Sequence, residues 1–168
     1  MIQNWLVNNA PGYDELSEEE KSEIMHFSLL WSLFEARVLN TSASPRSIQT
    51  KINSPETAEL LDHTEFENYR NYFSQRYIEN GNTNFRFPHL HFRRNDNQGL
   101  VERVLKYETN DVSEVVIALL TIVYRYRNNF FHGIKWAYKF KEQLDNFRIS
   151  NELLIQMLEI HNPRNNLA

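Results

Sequence analysis

The hydrophobic pattern of the first forty residues predicts one long amphipathic helix. Its apolar positions are spaced by three and four residues. They are Ile24, Phe27, Leu30, Trp31, Phe34 and Val38. Ser17 and Glu20 form a capping box before them, and the polar segment 40–45 follows, so a helix of about 23 residues is expected. Residues 1–13 form a lead-in without such a pattern.

A second helical pattern begins at 54–55, where a cap residue is followed by proline at the first helical position. Its apolar residues are Leu60, Leu61, Phe66, Tyr69, Tyr72, Phe73 and Tyr77. Residues 63–64 mark a candidate break within it. Turn-forming residues then dominate 81–99, which predicts an irregular loop with a candidate short extended piece.

The second half of the chain contains the longest apolar run, 115–123. A capping box at 111–114 precedes this run, and Gly133 is suited to end the helix in the left-handed conformation. A shorter helix is predicted over 100–108. The run therefore predicts a buried helix near the centre of the fold.

A last helical region is predicted over 136–161, with a break near 148–151 where Ser150 would cap a final helix. Residues 162–168 are a polar tail, and no internal repeat or low-complexity block interrupts the chain. Four to six helices with little strand pattern predict a single all-α domain, 1–168, built as a compact helical bundle.

Composition agrees with one globular domain and excludes several kinds of site. A chain of 168 residues can bury a core without disulfides or metals. Only 4 glycines and 5 prolines argue against an all-β domain, which needs many tight turns. The absence of cysteine excludes disulfide scaffolds, thiolate metal sites and cysteine nucleophiles, and fits a reducing cytoplasm.

The absence of a targeting pattern and the net charge limit the cellular location and the partners that we expect for the protein. The N-terminal sequence has no basic region followed by an apolar one, so no secretory signal is expected. The longest apolar run spans about 14 Å as a helix, half of a bilayer's hydrocarbon thickness. We therefore expect a soluble, cytoplasmic protein without a membrane partner. A net charge of -4 argues against a globally basic nucleic-acid binder, so a polyanion site must come from local clustering.

Arg127 and His132, at the end of the predicted apolar helix, are the residues best suited to chemistry. Arginine carries a permanent charge and a fork of donors that matches phosphate, and histidine titrates near neutrality and can move protons. If the substrate is RNA, its 2′-hydroxyl supplies the nucleophile, so no metal, cofactor or protein nucleophile is required. The pair therefore indicates phosphoryl chemistry.

The same two residues have a structural interpretation. An arginine and a histidine at the C-terminal end of a helix also satisfy its free carbonyls and its dipole. At about 100° per residue, His132 shares a face with Arg125 and Asn128, while Arg127 lies about 140° away around an unbroken helix. The two side chains converge only if the helix breaks near Gly133, if they wrap around its end, or if two subunits share one site.

The stretch from Arg127 to Gly133, "RNNFFHG", resembles the signature of the HEPN superfamily, R-x4-6-H. The spacing here is R-x4-H, with Asn128 as the polar residue after the arginine and a glycine after the histidine, as in members of the R-N-x-x-x-H-G type. The upstream segment 31–39, "WSLFEARVL", resembles the first long helix of such members. The resemblance covers helix number, helix order and this one motif.

This resemblance implies a metal-independent endoribonuclease that cuts single-stranded RNA and leaves a 2′,3′-cyclic phosphate and a 5′-hydroxyl. It implies that Arg127 holds the scissile phosphate, that His132 transfers protons, and that Asn128 orients one of them. It further implies a homodimer with both motifs lining one cleft. The prokaryotic members that it resembles include toxins and antiviral (phage-defence) effectors acting on tRNA or other RNA, which implies an antitoxin or regulatory partner.

Two features keep other interpretations open. One toxin subgroup follows its histidine with a variable residue and a tyrosine, but Ile134 stands at that place, so membership of that subgroup is not implied. Some HEPN domains have no nuclease activity. A catalytically inactive RNA-binding or protein-interaction module is therefore the alternative function.

Three further residues outside the motif could support such a site. Glu35 lies in an apolar stretch and is a candidate to pair with Arg127, the alternative being an ordinary pair with Arg37 or another base. Arg125 and Lys135 could extend a positive rim around the motif, although such charges usually belong to a solvated face.

The loop 81–99 interleaves aromatic residues with arginines. Arg93 and Arg94 are therefore candidate RNA contacts, the alternative being a loop that packs on the bundle or on a second subunit. His89 and His91 could lie on one side of an extended segment as metal ligands. Two ligands do not make a closed site, so no metal is expected.

Overall fold

The computed structural model describes residues 1–131 and 143–162. Within these residues the chain forms eight α-helices, one 3-10 helix and one two-stranded antiparallel hairpin. In chain order they are α1 (Ile2–Asn9), α2 (Glu18–Arg37), α3 (Pro45–Ile52), α4 (Pro55–Ala58), α5 (His63–Tyr77), β1 (Ile78–Glu79), β2 (Asn82–Thr83), the 3-10 helix (Phe87–Leu90), α6 (Gln98–Leu105), α7 (Val112–Phe131) and α8 (Leu144–Ile160). The fold is an all-α bundle, as the sequence predicts.

α2 begins at the predicted capping box. The Ser17 N–H donates to Glu20 Oε2 at 2.8 Å, and the Glu20 N–H donates to Ser17 Oγ at 3.1 Å, so two free donors of the first turn are satisfied. The helix ends at Arg37, and the chain then turns through Asn40 and Thr41, both of which adopt positive φ values. The observed helix has 20 residues, slightly fewer than expected.

α7 is the central helix, and the whole of 115–123 is buried. Helices α3, α5 and α6 and the 3-10 helix pack around it, while α8 packs on α2 and α5. At its start the Glu114 N–H donates to Asp111 Oδ1 at 2.9 Å, so half of the predicted capping box is present. The Glu114 carboxylate instead accepts from Arg103 at 2.9 Å, which ties α7 to α6.

The described residues form more helices than the four to six predicted, and three short helices account for the excess. α1 lies inside the expected lead-in, and none of its residues is buried. α3 was not predicted: Ser44 caps it, proline is its first residue, and Ile48 and Ile52 are buried. The second predicted helix is divided into α4 and α5 close to the candidate break, where Asp62 accepts the Thr64 N–H at 2.9 Å.

The prediction of a break near 148–151 is wrong. α8 is continuous through this region, and Ser150 is a fully buried helix-interior residue that does not cap a helix. Its hydroxyl donates to the Asn146 carbonyl one turn earlier at 2.6 Å, which removes the need for a cap or a solvent partner. The part of the predicted helix before residue 143 lies outside the described residues.

The predicted loop is irregular and contains the expected extended piece. β2 pairs with β1 in the register Ile78 with Thr83 and Glu79 with Asn82, and the 3-10 helix follows. The predicted helix 100–108 begins at Gln98 and ends at Leu105, since Tyr107 has a φ of 60° that ends helical geometry. Among the described helices, none is both long enough and apolar enough to span a bilayer.

Candidate functional site

The last two turns of α7 direct polar side chains to two sides of the helix. Arg125 and Asn129, four residues apart, contact the carbonyl of Leu90, whereas Arg127 faces α2. Positions 125 and 127 are separated by about 200° at 100° per residue, which explains why the two arginines diverge. Their surroundings and their available chemistry are therefore different.

Arg127 has a partly exposed guanidinium held by neighbouring groups. Its Nη1 donates to Asn128 Oδ1 at 2.9 Å, and its Nη2 lies 3.9 Å from Glu35 Oε2. Its Cζ lies 6.0 Å from the centre of the Trp31 ring, at the outer limit of a cation–π contact. The side chain keeps 32% of its surface exposed. These contacts orient the guanidinium, and the side chain is only partly enclosed.

Glu35 is held mainly by neutral donors at the connection between α2 and α3. Its Oε1 accepts the Ala43 N–H at 3.1 Å, and its Oε2 accepts the Trp31 indole N–H at 3.0 Å. The 3.9 Å separation from Arg127 is longer than either hydrogen bond. The carboxylate is therefore a fixed negative charge beside Arg127, held in place by these two hydrogen bonds.

Asn128 is 5% exposed, and its side-chain oxygen accepts the hydrogen bond from Arg127. A buried amide needs such partners, because an unpaired polar group would be costly to remove from water. The contact also fixes one side of the Arg127 fork from the adjacent residue of the same helix.

Arg125 does not belong to an exposed positive rim, which corrects the expectation from the sequence. It is 2% exposed, its Nε donates to the Leu90 carbonyl at 3.1 Å, and its Nη1 lies 3.3 Å from Asp96 Oδ2. Burial lowers the pKa of Arg125, whereas the negative charge of Asp96 opposes that shift. A guanidinium sealed in this way holds the loop against α7 and cannot contact an RNA strand.

Arg93, Arg94, His89 and His91 are all exposed on the loop. The Arg93 N–H donates to Asp96 Oδ2 at 2.6 Å, so the backbone of the loop is fixed while its two arginine side chains stay in solvent. The rings of His89 and His91 lie 6.5 Å apart. Within 1–131 and 143–162, no group of three or more histidine or acidic side chains could hold a metal ion.

His132 and Lys135, together with Gly133 and Ile134, lie outside the described residues. The structure therefore brings together Arg127, Asn128 and Glu35 from the predicted set. The positions of His132 and Lys135 stay predictions from the sequence.

The sequence analysis missed the two residues that complete the anchoring of the loop. Asp96 is 3% exposed and faces Arg125, and Asn129 donates to the Leu90 carbonyl at 3.1 Å. A signal for Asp96 was present, since it is the single acidic residue between Glu79 and Glu102. A lone carboxylate among arginines is a natural partner for a buried guanidinium.

Comparisons with family models, curated proteins and solved structures give no match to this chain.

Proposed function

We propose that the protein is a metal-independent endoribonuclease that cleaves single-stranded RNA by attack of the 2′-hydroxyl on the adjacent phosphate. The observation that carries the proposal is the Arg127 guanidinium, partly exposed at the end of the central helix and oriented by Asn128 and Glu35. In this proposal Arg127 binds the scissile phosphate and stabilises the charge that develops on it. His132, five residues later in the sequence, transfers the protons.

The loop supports a polyanionic substrate. The segment 80–95 has three arginines and no carboxylate, although the whole chain has a net charge of -4. Phe85 is 69% exposed, and the guanidinium of Arg86 lies 4.5 Å from the centre of its ring. An exposed aromatic ring beside arginines suits the stacking of unpaired bases and contact with phosphates. This local charge favours single-stranded RNA as the substrate.

In this proposal a bound strand contacts both the loop and Arg127. The loop lies on the Arg125 side of the helix, and Arg127 lies on the α2 side. A strand that contacts both would cross the end of α7. Arg94 would then bind the RNA at a position distant from the cleaved bond. Its removal should therefore raise KM and leave kcat nearly unchanged. Loss of Arg127 should lower kcat, since its contact strengthens in the transition state.

The test uses the full chain in EDTA with a labelled single-stranded RNA and an identical RNA carrying one 2′-deoxy nucleotide at the cleaved position. We expect fragments ending in a 2′,3′-cyclic phosphate and no cleavage at the deoxy position. Arg127→Ala and His132→Ala should each reduce kcat by roughly 10²–10³-fold. The acidic side of the pH–rate profile should show an apparent pKa of about 6 to 7.

Arg46→Ala and His63→Gln are matched controls, because Arg46 is exposed on α3 and His63 is the first residue of α5, so neither belongs to the proposed site. Both controls should retain wild-type cleavage. Equal cleavage by wild type, Arg127→Ala and His132→Ala would identify a contaminating nuclease and remove the enzymatic proposal. RNA binding without any product from wild-type protein would instead favour the non-catalytic RNA-binding module.

A further inference from the structure

A groove of about 480 Å³ lies between α2 and α8. Sites that enclose a small organic molecule usually measure about 300–1,000 Å³ and combine an apolar wall with a few polar groups. Leu29 and Leu30 of α2 and Ile155 of α8 supply the apolar wall here. Leu29 and Ile155 are both exposed, so the wall is open to solvent. The size and the lining of this groove are therefore those of a small-molecule site.

Asn151 lies in the wall of the groove with one half of its amide unpaired. The residue is 5% exposed, and its Nδ2 donates to the Glu23 carbonyl at 3.1 Å and to Glu23 Oε2 at 2.7 Å. Because both partners are acceptors, they fix which end of the amide carries the oxygen. That oxygen, Oδ1, is buried and meets no hydrogen-bond donor within 1–131 and 143–162. A buried acceptor without a donor is unfavourable, so a molecule in the groove that donates a hydrogen bond would be stabilised at this place.

The charged side chains that line the groove leave a surplus of negative charge. In the described part of the chain they are Glu23, Glu152 and Arg148. Arg148 is already paired, since its guanidinium contacts Glu19 and lies 3.4 Å from Asp145. Neither Glu23 nor Glu152 forms an ion pair with a described residue. The two carboxylates therefore favour a positively charged ligand.

We propose that this groove binds a primary organic ammonium ion with an apolar body. An ammonium group has three N–H donors and no acceptor. The groove offers three groups that accept: Asn151 Oδ1 and the carboxylates of Glu23 and Glu152. The hydrocarbon part of the ligand lies against Leu29 and Ile155, where its burial contributes to affinity. The groove contains no residue of the proposed nuclease site, so each proposal can fail without the other.

The first test titrates ¹⁵N-labelled protein with n-hexylammonium chloride at constant ionic strength and follows the binding by NMR. The side-chain amide of Asn151 reports directly on the proposed contact. We expect a saturable change in its chemical shifts, with parallel changes at the backbone amides of Leu29 and Ile155. Hexanoate and 1-hexanol have the same hydrocarbon chain without the positive charge. Both should bind at least about 10-fold more weakly, since hydrogen bonds between charged groups contribute more than neutral ones.

The second test compares variants of the groove. Glu152→Gln keeps the size of an exposed side chain that makes no ion pair with a described residue, so the variant should fold and should bind n-hexylammonium roughly 3- to 10-fold more weakly. Ile155→Lys places a competing ammonium in the groove and should abolish binding. Glu56→Gln is the matched control, because Glu56 is an exposed glutamate of α4 that does not line the groove. This control should bind as wild type does.

Four results would overturn the proposal. If n-hexylammonium leaves the Asn151 amide unchanged, water is the partner of Oδ1. If the ammonium, the carboxylate and the alcohol bind equally well, the groove is an unselective apolar cleft. If Glu56→Gln weakens binding as much as Glu152→Gln does, the ligand is attracted by the net charge of the chain and not by the groove. If a lysine-containing peptide binds and n-hexylammonium does not, the groove belongs to a protein partner.

Discussion

The buried pair of Arg125 and Asp96 gives the most direct test of how the loop is held. The two side chains are 2% and 4% exposed, and their nearest charged atoms are 3.3 Å apart. Asp96→Ala would leave the guanidinium without its counter-charge and would also remove the acceptor of the Arg93 N–H. The Nε bond of Arg125 to the Leu90 carbonyl would remain. The variant therefore isolates the carboxylate's contribution.

Removal of one partner from a buried ion pair usually destabilises a protein by 3–5 kcal/mol, because the other charge stays in the interior. Because the contact of Arg125 with Leu90 is retained, we expect Asp96→Ala to lower the free energy of unfolding by about 3 kcal/mol, near the lower end of this range. For a domain of this size that corresponds to a decrease in Tm of about 6 to 12 °C. Adding Arg125→Leu should recover part of the loss, since the uncompensated charge is then gone.

Urea denaturation followed by circular dichroism measures both variants, with unchanged m values as the check on two-state unfolding. Arg103→Ala is the matched control. Arg103 is 2.9 Å from Glu114, closer than the buried pair, but the two side chains are 52% and 36% exposed. This exposed pair should contribute less than about 1 kcal/mol. If Arg103→Ala destabilises the protein more than Asp96→Ala does, burial does not set the strength of these pairs and the reasoning is wrong.

Three further predictions concern single contacts. Burial lowers the pKa of His161, so the folded state disfavours its protonation. The free energy of unfolding should therefore fall as the pH decreases from above 6.5 through the folded-state pKa. In urea titrations His161→Gln should reduce this pH dependence, while the same change at exposed His89 should not. Tyr126→Phe removes the hydroxyl that contacts Tyr77 in the core and should lower the free energy of unfolding by about 1 kcal/mol; no change would show that the contact is energetically neutral. Ser17→Ala removes the cap of α2 and should lower the free energy of unfolding by about 1 kcal/mol, measured by thermal melting. An unchanged Tm would contradict the capping argument.

The parts of the fold that were predictable from the sequence carry long, consistent signals. α2 and α7 each combine a cap with many turns of apolar residues, so local pattern and tertiary burial agree. α3 was missed because only two of its residues, Ile48 and Ile52, are buried, and two positions do not establish a period. Ser150 was misassigned since a serine suits both a cap and a buried bond to the preceding turn.

For the candidate site, the sequence could predict only the directions in which side chains point around a single helix. Counting 100° per residue already separates Arg125 from Arg127, and the structure places them on different sides of α7. The partner of Arg125 was not predictable from spacing, because Asp96 lies 29 positions earlier. Its distance from Arg125 depends on how the loop packs against α7.

The polarity at the end of the apolar helix is explained by a division of tasks between its two sides. Arg125 and Asn129 are buried and bind the backbone of the loop, so their polarity is used for structure. Arg127 is less buried than Arg125, and Glu35, 3.9 Å from its Nη2, is already bound by two neutral donors. A purely structural arginine gains most from a close, desolvated carboxylate, as Arg125 has with Asp96. If Arg127 binds the phosphate as we propose, cleavage should depend on Arg127 and stability on Arg125.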